Sequence, residues 1–137
     1  MNTSKIRNVG RGLGLSMLLC AGLVALRAGA DSGGWYTQAQ ATRGHQLFNN
    51  YCAQCHRPDL LGAVGPALVG DTFQKDWGSK PLGDLYAFEH GKMPANNPGS
   101  LPEDSLWSIT AYILEKNGFP AGSTALSQPL AGKTLVK

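Results

Sequence analysis

Residues 52–56 read Cys52-Ala53-Gln54-Cys55-His56. Two thiols at this spacing lie one helical turn apart. They can reach the two vinyl groups on a porphyrin rim and form thioethers, while the adjacent histidine projects over the ring and offers a nitrogen to the iron. Given the chain's own composition, a C-x-x-C-H is expected by chance on the order of one time in a thousand. It is therefore read as the attachment signature of one covalently bound c-type haem, with Cys52 and Cys55 as the thioether donors and His56 as an axial ligand. A short chain that carries so large a flat group has to wrap around it, and that requirement decides the fold.

The same residues have two other chemical uses, and the surrounding sequence favours neither. A redox-active dithiol needs its C-x-x-C beside a βαβ pattern, yet no stretch alternates with a period of two. A structural zinc site needs four ligands, and outside the motif only His45 and His90 remain, without an H-x₃₋₅-H pair.

Working outward, Thr37 and Gln40 form a T-x-x-Q capping box that opens a helix over 37–50. Gly44, Leu47, Phe48 and Tyr51 share one of its sides. Residues 57–70 are rich in Gly and Pro and read as loop. Asp71 caps a short turn carrying Phe73 and Trp77. Residues 82–90 form a further helix, stopped by Gly91. The last helix opens on an S-x-x-E box at Ser100 and Glu103, with Pro102 in its first turn, and carries Leu106, Ile109, Tyr112 and Ile113 as its apolar stripe. It closes at Gly118 and Pro120. The expectation is an all-α domain with three main helices, long loops and a cofactor completing its core.

The N-terminus reads as an address. Lys5, Arg7 and Arg11 precede an uncharged apolar run over 13–26, and Ala28-Gly29-Ala30 supplies a small-x-small cleavage site. Residues 1–30 are therefore expected to be a cleaved secretory signal, the run being too short for a permanent membrane span. An uncleaved anchor, or a lipid-modified Cys20, are the other readings of this stretch. Residues 31–36 read as a flexible lead-in, 37–118 as the haem domain and 119–137 as a C-terminal extension, either a docking strap or disordered. Cleavage removes four of the twelve basic residues and none of the nine acidic ones, taking the net charge from +3 to −1. That leaves no electrostatic basis for a nucleic-acid partner. It also removes Cys20, so the mature chain keeps two cysteines, too close together to act as a structural staple.

The other face of the iron needs a ligand. Met93, 37 residues beyond His56, is the sole methionine left after cleavage, and a thioether suits haem iron. His90 is the rival. His45 reads as an exposed polar residue.

Together these residues resemble class I c-type cytochromes over most of 37–118. Gly44, Phe48 and Cys52 resemble that family's N-terminal helix, where the glycine admits the C-terminal helix, and residues 109–113 resemble the partner segment. Gly65-Pro66-Ala67-Leu68 resembles the loop whose proline carbonyl accepts the N–H of the axial histidine, which implies that Pro66 orients His56. Met93-Pro94 resembles the ligand loop, and Trp77 an aromatic that reaches a haem propionate. Trp35 and Trp107 have no counterpart role. The C-terminal third is similar to small cytochromes that partner periplasmic quinoprotein or sulfite dehydrogenases. The resemblance implies a periplasmic carrier, not an enzyme, that takes one electron from a dehydrogenase and gives it to another cytochrome or an oxidase. The alternatives are a fixed subunit of a dehydrogenase complex and, if Met93 is not bound, a five-coordinate sensor or peroxide enzyme.

Overall fold

The computed structural model describes residues 33–136, and the expected signal segment lies outside them. Five helices follow one another: α1 (Gln38–Tyr51), the single turn α2 (Ala53–His56), α3 (Gly70–Trp77), α4 (Leu82–Lys92) and α5 (Glu103–Lys116). Among the described residues there is no strand, only two isolated bridges, Tyr36 to Ala121 and Pro81 to Thr134. The all-α expectation holds, and α2 and α3 add to its three main helices.

The centre of the domain is the crossing of α1 and α5. Ala41, Gly44 and Phe48 form the buried face of α1. A Cβ on Gly44 would stand 1.8 Å from the carbonyl oxygen of Ser108, so only glycine lets the two backbones meet there. All residues of α5 from 105 to 114 are buried, because one side of this helix meets α1 while the other faces a cavity and α4.

Several local expectations are corrected. Thr37 caps α1, its hydroxyl accepting from the Gln40 N–H at 3.2 Å. The Gln40 side chain does not reach back to close the box. It is taken by the tail, donating to the Leu126 carbonyl at 2.8 Å and accepting from the Leu126 N–H at 2.7 Å. Asp71 lies inside the first turn of α3, whose N-cap is Val69. Helix α5 starts at Glu103 with Pro102 as its N-cap, leaving Ser100 outside, and the Glu103 carboxylate instead accepts from the Trp107 indole N–H at 3.2 Å. Gly91 lacks a left-handed φ, so α4 runs through it to Lys92.

Neither end of the domain is loose. Trp35 and Tyr36 are buried, not a flexible lead-in. The Trp35 N–H donates to the Pro120 carbonyl, the Tyr36 hydroxyl donates to the Phe119 carbonyl, and Lys133 stands 3.9 Å above the Trp35 ring. Residues 119–136 fold back over the helices, burying Leu126 and Leu135 and hydrogen-bonding to Ser79, Leu82 and Gly83.

Candidate haem site

The C-x-x-C-H motif is the junction between α1 and α2. The loop after it doubles back on the motif: the Gly62 N–H donates to the His56 carbonyl at 3.0 Å, and the N–H groups of Ala63 and Gly65 donate to the Cys55 carbonyl at 3.2 and 3.0 Å. Asn117, buried at the end of α5, holds the far end of this loop. Its amide donates to the Leu68 carbonyl at 2.9 Å and its oxygen accepts the Gly70 N–H at 3.2 Å.

The returning loop fixes the His56 ring on two sides. The Nδ1 atom lies 2.8 Å from the Pro66 carbonyl oxygen. That oxygen can only accept, so Nδ1 carries the proton and Nε2 is left with a lone pair for a metal. Against the ring face lies Gly65, where a Cβ would come within 2.5 Å of Cε1 and 2.9 Å of Nε2.

The cavity that His56 lines also receives Met93, which the chain presents by a local rule. Pro94 disfavours the helical region for the residue before it. Met93 is accordingly extended at φ −121°, and it ends α4 as its C-cap. This cavity, of about 460 Å³, is lined by Cys52, Cys55, His56, Met93 and Trp77 together with apolar side chains that include Phe48, Leu106 and Ile109. Every predicted site residue, Pro66 included, is brought to this wall. His90 is not: it is exposed on α4 and stacks on Tyr86. His45 is also exposed and stacks on Tyr112 at 4.6 Å.

The competing uses of the cysteines find no support in the geometry. Among the described residues no three His, Cys, Asp or Glu side chains gather as a bare metal site. Burial, then the nearby Glu89 and Cys55, push the Cys52 thiol up to about 12, far from the acidic thiol that disulfide exchange requires. An apolar cavity with two thiols in its wall and a pre-oriented imidazole nitrogen fits a covalently held haem and not a bare ion.

A family model described as cytochrome c oxidase, cbb3-type, subunit III, matches residues 39–113. The chain belongs to this family of c-type cytochromes. It is thus an electron-transfer haem protein, and the cytochrome fold expected from the sequence is the one found. No curated protein matches the cytochrome in sequence. Among solved structures it is similar to a chain of the sulfane dehydrogenase SoxCD from Paracoccus pantotrophus, with a TM-score of 0.54 and 25% identity. The match covers 69% of the cytochrome and 52% of that chain, so the cytochrome spans about half of its length. No helix among the described residues is long and apolar enough to cross a membrane.

Two features of the site were missed in the sequence. The contact of Gly65 with the ring depends on a fold-back that no local pattern reveals. Glu89 was given no role, although a signal existed. It falls at spacings of four and seven from Leu85 and Leu82, on the face of α4 that is buried. Burial pushes its carboxyl up to about 8, against the opposing effect of a hydrogen bond with Thr110.

Proposed function

We propose that the cytochrome is an exported, single-haem carrier that moves one electron at a time. In this reading Cys52 and Cys55 hold the haem as thioethers, while His56 Nε2 and Met93 ligate the iron. The haem, when bound, supplies a reversible one-electron Fe(III)/Fe(II) couple. The chain's residues do the rest. Pro66 fixes the imidazole tautomer and orientation, and the apolar walls exclude water. A thioether opposite an imidazole favours the reduced state and raises the potential. With both axial positions filled, no site is left for a substrate at the metal, which favours a carrier over an enzyme. The observation that carries this reading is the cavity wall itself, where an oriented His56 and the C-cap Met93 line the same space.

The donor in this reading is a periplasmic dehydrogenase, and the acceptor is another cytochrome or an oxidase. The likeness to part of a sulfane dehydrogenase chain favours sulfur-compound oxidation as the source of electrons. It also supports a second reading, in which the cytochrome is a fixed subunit of a dehydrogenase complex. Purification from the periplasm discriminates the two: a free monomer is expected for the carrier, stoichiometric co-purification with a dehydrogenase for the subunit. The ligand set is tested by absorption spectra of the oxidised and reduced protein, with and without carbon monoxide. A low-spin spectrum carrying the weak Fe(III)–thioether charge-transfer band and indifferent to carbon monoxide is expected. A high-spin spectrum or ready carbon monoxide binding would remove Met93 from the iron.

A further inference from the structure

Glu89 is a carboxyl group in the wall of the haem cavity for which electron transfer alone has no use. It is 6% exposed and sits one helical turn before Met93, whose backbone N–H donates to the Glu89 carbonyl at 2.9 Å. The side-chain Oε2 is hydrogen-bonded to the Thr110 hydroxyl on α5, and Oε1 is buried without a partner. The Thr110 hydroxyl also lies 2.9 Å from the Leu106 carbonyl oxygen, one turn back in its own helix.

A carbonyl oxygen can only accept, so the Thr110 hydroxyl stands between the Leu106 carbonyl of its own helix and the Glu89 carboxyl of α4, and the Glu89–Thr110 hydrogen bond joins the two helices. Among the described residues the salt bridges are formed elsewhere, at Arg43 and Arg57, so an ionised Glu89 would be a buried charge without a counter-ion.

We propose that Glu89 and Thr110 are positioning residues for the sixth-ligand side of the haem site, joining α4 to α5 through a buried side-chain hydrogen bond so that Met93 is held in place. The inference rests on Met93 being the iron ligand. Its physical basis is register: apolar helix faces can slide past one another, whereas a buried hydrogen bond has one geometry and is costly to leave unmade.

The test uses the full-length, haem-loaded protein, read by the Fe(III)–thioether band and by the rate at which cyanide displaces the sixth ligand. Glu89→Leu and Thr110→Val are expected to weaken the band and speed cyanide binding about tenfold to a hundredfold, the scale set by an unpaired buried polar group. Glu89→Gln, a neutral donor of the same shape, and Thr110→Ser, which keeps the hydroxyl, are expected to stay within about threefold of the parent. Parental cyanide rates and an intact band in Glu89→Leu and Thr110→Val would overturn the positioning role. A parent protein that lacks the band would overturn the Met93 reading, and this inference with it. Should Glu89→Leu fail to fold, the Thr110→Val and Thr110→Ser pair makes the same comparison.

Discussion

Helix α5 has two neighbours, and it meets them in opposite ways. Against α1 the contact is closed: Gly44 brings backbone against backbone, and Ala41 and Phe48 fill the remainder. Against α4 the contact is partly open. Tyr86 stacks on Trp107 at 3.8 Å and Glu89 meets Thr110, but Leu106, Ile109 and Ile113 face a cavity. The chain completes one interface with its own atoms and leaves the other for a cofactor. The lesson is that stability and function are divided between two sides of one helix.

The largest effect on this contrast is expected from removing the haem tether. Cys52→Ala/Cys55→Ala should abolish covalent haem and expose the amides of α4 and the 57–69 loop to hydrogen exchange, while the α1–α5 contact keeps its protection longest. Equal protection on both sides would mean that the cavity closes unaided. Next, Gly44→Ala places a Cβ 1.8 Å from the Ser108 oxygen and should cost about 3–5 kcal/mol in denaturant unfolding, with the haem spectrum unchanged below the transition.

On the α4 side, stability should depend on pH through Glu89. Its folded pKa is raised from 4.5 to about 8, so the folded protein holds the proton more tightly than the unfolded chain. The contribution is complete below about 4.5 and lost as pH rises through 8, on the order of 5 kcal/mol. Unfolding free energies should fall across that window in the parent and stay flat in Glu89→Gln; identical slopes would show that another group is responsible. The smallest effect belongs to Arg43 and Asp104, which pair at 2.8 Å on the exposed side of the α1–α5 contact. Arg43→Ala should leave stability without a resolvable change.

What the sequence makes legible is local. The C-x-x-C-H spacing, the Thr37 cap, the glycine stop at Gly118 and the Pro94 rule that extends Met93 all act within one helical turn. What it hides is long-range. Whether residues 119–136 are a strap depends on hydrogen bonds to Gln40, Ser79 and Leu82 that leave no periodic trace. The burial of Trp35 is hidden for the same reason, since its partners Phe119, Pro120 and Lys133 are more than 80 residues away in the chain. The ends of α4 and α5 shifted because a permissive residue is not a required one: Gly91 tolerates helix, and Ser100 has no helix to cap once Pro102 begins it.

The grip of Gln40 on the tail has a consequence of its own. A carboxamide presents the same donor and acceptor as a peptide unit, so Gln40 acts as a single borrowed rung of a ladder, recognising the Leu126 backbone and ignoring the side chains that lead to it. That rung is therefore set by main-chain atoms at residue 126 and by the Gln40 carboxamide, independent of which side chain residue 126 carries.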